Sequence, residues 1–257
     1  MGSAPGGLKL GLRRVDETQW FQREFDRAAR AAAFAADPDA VCVLPQAEPA
    51  VAELAALLGA ENSLRACAQS CWEDLCLLLA PGEGPPVFVA GAVGFPTDWR
   101  LRDKIGLPLT AVHAPIHGYA ERLSGGVDHF MANLVAGPIF GRANWFVVPT
   151  DAWPYRPESD PAARFAHVRA DNAGETLFVR CERQTLRRLP QSSAILFTIG
   201  VHVARLGSLP GDVVRGIARA VSKVLPGEDE RRAAPHYADA LAAYACALPA
   251  AAAWNAP

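Results

Sequence analysis

Apolar residues fall at helical spacing through the first eighty positions and in strand-like runs after that. Phe21, Phe25, Ala28 and Ala32 sit one turn apart and predict a first helix. Asp16 stands at its start as a cap, Gln19 holds the matching capping-box position, and Pro38 ends it. A second helix is expected over about 49–58, stopped by Gly59, and a third over about 63–79. The stripe of the third is Leu64, Ala68, Cys71, Leu75 and Leu78. Prolines and glycines at 81–86 break the pattern. Residues 87–93 then read as a buried strand, 94–99 as a turn and 107–113 as a short extended or helical run. Residues 118–134 look helical but are interrupted by Gly125 and Gly126. Further strands are expected at 144–148, 176–183 and 194–203. Two helices close the chain: one capped by Asp212 with the stripe Val213, Ile217, Val221 and Val224, the other over about 235–248. Helices, a small antiparallel sheet with inserted helices, then helices again argue an α+β fold, not an alternating βαβ one.

Composition narrows the field. The chain has 257 residues, 51% of them hydrophobic and 20% charged, enough to bury a sizeable core. The net charge of −2 leaves no broad basic field for nucleic acid, and no apolar run is long enough to cross a bilayer. The first residues lack the basic-then-apolar pattern of an export signal, so a cytoplasmic setting with reduced thiols is expected for the six cysteines. Cys67 and Cys71 lie a turn apart with no second pair at zinc-ligand spacing. The charge run at 228–232 reads as a solvated loop. There is no GxGxxG after a strand, no P-loop, no GxSxG elbow and no HExxH, so nucleotide and common hydrolase chemistries have no anchor.

Two features remain. Between the last two strand runs, Arg180, Glu182, Arg183, Arg187 and Arg188 crowd into nine residues. Such a cluster can hold an anion at a sheet edge, or it can be a solvated hairpin end with an internal ion pair. His113 closes the apolar run at 105–112, and Pro115 stiffens the backbone just past it. A neutral imidazole at the mouth of a dry slot suits an axial haem ligand.

Four segments together resemble the α-subunit family of haem-dependent oxidative N-demethylases. They are Glu73-Asp-Leu-Cys76; Phe95-Pro-Thr-Asp-Trp-Arg-Leu-Arg-Asp-Lys-Ile-Gly106 leading into Val112-His-Ala-Pro115; Arg142-Ala-Asn-Trp145; and Arg180-Cys-Glu-Arg-Gln-Thr-Leu-Arg-Arg-Leu-Pro190 with Ile195-Leu-Phe-Thr-Ile199. The resemblance implies one PAS-like domain over residues 1–257, a small antiparallel sheet that binds haem b, with helical additions at about 1–85 and 210–257. It implies oxidation of a small amine or amino-acid-like substrate by dioxygen, with electrons from separate flavin and iron–sulfur partners. On that footing His113 is the expected iron ligand. Arg180, Arg183 and Arg187 are expected to bind haem propionates or a substrate carboxylate. Glu182, with Arg180, is expected to act in the pocket, binding a cationic amine or relaying protons, with a structural ion pair as the other reading of Glu182.

The chain departs from the family pattern beside the expected pocket. His117 stands where a proline is usual, and Gly200-Val-His202 replaces an arginine-threonine-tyrosine run. His117 could act on substrate or serve as a second axial ligand, which would favour a haem sensor or electron carrier without turnover. A haem-free binding module that keeps only the fold is the third reading.

Overall fold

The structure, a computed structural model, describes residues 11–80, 82, 84–115, 119–224 and 226–249. Seven strands form one sheet in the order β1-β5-β6-β7-β3-β4-β2. They are β1 (Arg13–Val15), β2 (Val41–Val43), β3 (Asp74–Leu79), β4 (Val87–Ala92), β5 (Ile139–Val148), β6 (Phe178–Arg188) and β7 (Ile195–Arg205). Wherever the register is defined the neighbours run antiparallel: β1 with β5, β2 with β4, and β3 with both β4 and β7. With eleven helices, α1 to α11, among the described residues, the fold is α+β, as the sequence indicated. The chain divides into two compact units, and the boundary falls within β5, β6 and β7.

The first unit comprises residues 1–144, 154–156 and 182–201. Its early elements differ from the sequence expectation. Asp16 caps only a short 3-10 turn, accepting from Thr18 N at 2.9 Å, and Trp20 then plunges into the core. Helix α1 (Arg27–Ala36) starts later, where the Asp26 carboxylate accepts from Ala29 N at 2.9 Å. Helix α2 (Glu48–Leu58) ends at Gly59 as expected, with Gly59 at φ 66, a left-handed turn that favours glycine. Helix α3 (Leu64–Gln69), capped by Ser63, is short, and the rest of the expected third helix is strand β3. Leu75 and Leu77 are completely buried there. A strand covered on both faces shows no alternation, so its apolar run mimics the stripe of a buried helix. With β1, β2 and β3 in place, the first 85 residues are not a purely helical addition.

Side-chain alternation separates two cores in this unit. Leu75 and Leu77 of β3, Ile139 of β5, Leu189 after β6 and Leu196 of β7 pack with Trp20 and α1 to α3 on one face. Cys76 and Leu78, Phe88, Phe140, Leu186, Ile195 and Phe197 pack on the other. That second face is covered by α4 (Leu109–Val112), α5 (Tyr119–Arg122) and α6 (Ser124–Asn133). The glycines at 125 and 126 lie inside α6; the interruption comes before them, between α5 and α6.

The second unit comprises residues 145–153, 157–181 and 202–257. It contains α7 (Pro161–Phe165), α8 (Ala173–Thr176), α9 (Gly211–Val221), α10 (Glu228–Arg231) and α11 (Ala238–Ala247) around a core of its own. The buried stripe of α9 is Val214, Ile217 and Val221, while Val213 stays exposed. The expected solvated run at 228–232 is instead a built corner. Glu228 accepts from Arg231 at 2.6 Å and from Arg232 at 2.8 Å. Burial alone would raise its carboxyl, but these donations hold it below the usual range.

Candidate functional site

His113 is fixed by the edge of β4. Gly106 N donates to Phe88 O at 2.7 Å, Phe88 N to Leu107 O at 3.0 Å and Leu109 N to Pro86 O at 3.1 Å. Gly106 adopts φ 82, which lets the chain turn onto that edge. Helix α4 is then a single turn, and His113 caps its end. The backbone N–H of His113 and its side-chain Nδ1 both point at Leu109 O, at 3.1 and 2.9 Å. A carbonyl only accepts, so Nδ1 carries the proton and Nε2 keeps a lone pair. Nε2 makes no hydrogen bond with any described residue. The Tyr119 ring stacks on the imidazole at 4.6 Å, and Lys104 Nζ ties down Val112 O at 2.7 Å. Burial foremost, with the fields of Lys104 and Arg142, pushes the imidazole below its usual pKa and keeps it neutral.

Glu182 lies on the same face of the sheet as Leu186, the face that α4 to α6 cover. It is 7% exposed; Thr97 Oγ1 donates to its Oε1 at 2.5 Å and Gln184 Nε2 to its Oε2 at 2.9 Å. Thr97 is itself held by a chain of contacts that starts from a buried ion pair. Arg30 of α1 meets Asp74 at 2.5 Å, both side chains being 1% exposed. The two oxygens of Asp74 accept from Gly94 N and Phe95 N at 2.8 and 3.0 Å. Tyr155 N donates to Pro96 O, and Asp98 N to Tyr155 O, at 2.9 and 2.7 Å. The segments around 74 and 95–98 that carried the resemblance thus form one support running from α1 to the Glu182 carboxylate.

Of the other expected residues Arg183 and Arg187 do not gather here, whereas Arg180, two residues before Glu182 on β6, falls on the face of Glu182 as expected. Strand β6 continues straight through the arginine cluster, so the charges alternate between faces instead of crowding a hairpin end. Arg183 donates to Trp20 O at 2.9 Å and to Gln19 O, and lies 3.6 Å from Glu73. Arg187 meets Glu17 at 2.8 Å and covers the Trp20 ring at 4.5 Å. Both lie on the Trp20 face, not the His113 face. Arg188 binds Leu134 O and Met131 O at 2.5 and 2.7 Å, clamping α6. Arg180 belongs to the second unit, where it is fully buried and donates to Trp153 O at 2.5 Å. His202, also in the second unit, is exposed. His117 lies outside the described residues.

Two participants had been given no role from the sequence. One is Thr97. The other is Arg142 on β5, which shares the face of Phe140. The strand was expected to start only at 144, because Gly141 and Arg142 interrupt its apolar run. Arg142 is half-buried; it lies in the field of Glu182, and its own charge reaches His113.

The family described as "Haem-dependent oxidative N-demethylase, alpha subunit-like" matches this chain over residues 59–241, well over half of it. The chain belongs to this family. The match runs from α3 to the first turn of α11 and so includes His113, Thr97, Arg142 and Glu182. The family's description names haem dependence and oxidative chemistry. The donor set on the His113 face fits that group. A neutral imidazole has one nitrogen anchored to a backbone carbonyl and the other unbonded to any described residue, and it sits beside an apolar, aromatic-rich cluster. Cys76, the thiol in that cluster, is pushed by burial well above its usual pKa and is a poor competing ligand. Among the described residues no group of three or more His, Cys, Asp or Glu could hold a separate metal ion, and no helix is long and apolar enough to cross a membrane.

Proposed function

We propose that this chain is the haem-binding subunit of an oxidase of the N-demethylase type, with haem b held on the α4–α6 side of a PAS-like sheet. The observation that carries the reading is His113: a neutral imidazole, Nδ1 donating to Leu109 O and Nε2 free, in a chain of this family. The sheet supports the PAS-like description, because helices inserted between β4 and β5 cover one of its faces. A haem bound there supplies the oxidation, by dioxygen, of the C–H bond beside a substrate nitrogen.

The protein's share is positioning. His113 Nε2 would hold the haem iron, and the Leu109 carbonyl keeps the ring oriented and makes it a better donor. The stacked Tyr119 ring limits its rotation. Glu182 receives the cationic amine or takes its proton, with Thr97 and Gln184 fixing both carboxylate oxygens. Arg183 and Arg187 brace the N-terminal segment on the other face. Electrons come from a separate flavin and iron–sulfur reductase.

The test is the absorption spectrum of the purified or hemin-reconstituted protein, before and after dithionite and carbon monoxide. A Soret band that moves on reduction and on carbon monoxide binding is expected, and it should be lost or strongly shifted in His113→Ala. A protein that never takes up hemin overturns the reading, and an unchanged spectrum in the variant overturns the ligand assignment.

A further inference from the structure

The arginines of β6 in the first unit direct their donors at the protein. Arg183 and Arg188 bind backbone carbonyls, and Arg187 pairs with Glu17. Arg142 differs. Its guanidinium makes no hydrogen bond and no ion pair with any described residue. It is half-buried, in the middle of a strand, on the face that carries Phe140 and Glu182. Burial lowers its pKa and the Glu182 charge partly restores it, so the cation sits where losing water is costly. Yet Glu182 does not close the gap to an ion pair. Its two oxygens are engaged by Thr97 and Gln184, which hold it back. A planar fork of donors, partly desolvated and unanswered by any described residue, matches a carboxylate in both shape and charge.

We infer that Arg142 is the anchor for a ligand carboxylate on the His113 face. This inference rests on the reading that a haem oxidase site lies there, and two ligands could bring the group: a haem propionate, or the carboxylate of an amino-acid-like amine. The second source uses both charges of the face. A zwitterion placed between them sets its carboxylate on Arg142 and its ammonium toward Glu182.

Four probes separate the sources in wild type and Arg142→Gln, with circular dichroism to confirm the fold. Hemin and hemin dimethyl ester differ only in the propionate charges. N-methylglycine and dimethylamine differ by a carboxylate. Hemin and its ester are followed at the Soret band; N-methylglycine and dimethylamine are followed by the spectral shift they cause in the haem protein. If a propionate is the partner, Arg142→Gln weakens hemin by roughly ten-fold or more and leaves the ester within about two-fold, as expected for one lost charge-assisted pair. If substrate is the partner, hemin is unaffected and N-methylglycine weakens by the same factor while dimethylamine does not. Arg142→Lys, which keeps the charge but not the fork, should recover part of either loss. If Arg142→Gln binds all four probes as wild type does, or weakens the carboxylate-bearing and carboxylate-free members of each pair equally, the anchor is wrong. If wild type takes up neither hemin nor its ester, the haem reading fails by itself. The anchor is then read by thermal shift with N-methylglycine against dimethylamine, and a wild-type response equal to that of Arg142→Gln overturns it.

Discussion

On one side of the sheet in the first unit, Arg183 and Arg187 tie the N-terminal segment down through Trp20, Gln19 and Glu17. On the other side, among the described residues, His113 keeps a free nitrogen, Glu182 keeps lone pairs to spare, and Arg142 keeps its whole guanidinium. The same residue types serve both sides, often from the same strand. What separates them is whether their polar groups are answered from within the protein. Answered groups stabilise; unanswered ones, held at a distance from each other by second partners, are available to a ligand.

The largest effect should come from the support that joins the two sides. Asp74→Ala leaves Arg30 buried without its partner and releases Gly94 N and Phe95 N. It should cost about 3–5 kcal/mol in urea unfolding. A loss below about 1 kcal/mol would mean that the buried pair does not hold the 94–98 loop.

Next comes Glu182→Gln. On the proposed role it keeps haem and loses about 100-fold or more in turnover. Loss of haem with the fold intact would instead place Glu182 with the structural groups and blur the contrast.

Arg183→Ala should show the reverse pattern. Two carbonyl bonds vanish and Glu73, 1% exposed, loses its neighbouring cation. A cost of about 1–2 kcal/mol is expected, reduced because the Arg183 side chain is 32% exposed, with an unchanged Soret band. A shifted band would show that the Trp20 face reaches the haem.

The smallest effect is on pH. In haem-free protein, burial holds His113 below its ordinary value of 6.5. Above that pH neither the folded nor the unfolded chain carries the proton, and the group contributes nothing to the pH dependence. As pH falls through 6.5 the unfolded chain binds a proton first, so the fold loses stability until its own lower pKa is reached. Each unit of displacement is worth about 1.4 kcal/mol. Urea midpoints at pH 7.5 and 5 in wild type and His113→Phe measure this, and an equal decline in both proteins would remove His113 as the cause.

Much of the chain was legible from its residues. Helix α2 with its glycine stop, strand β4, the β6–β7 pair and the C-terminal helices follow from periodicity, although Asp212 lies inside the first turn of α9 and does not cap it. Strand β3 did not, because a strand buried on both faces loses its alternation. The sequence predicts β6 only as far as 183, where the apolar pattern gives out. It runs on because each arginine finds a partner above or below the sheet.

What the amino-acid order settled alone is the α+β class and the motifs that mark the family, including the histidine after a short apolar run. Those depend on local spacing and residue chemistry. Only the folded chain decided which charged groups meet. Arg183 and Arg187 find Trp20, Gln19 and Glu17 more than 160 positions away, while Arg142 comes within the field of Glu182 and pairs with no described residue. A side chain's hydrogen-bond partners are set by register and packing between distant segments, and no periodicity along one strand reports them.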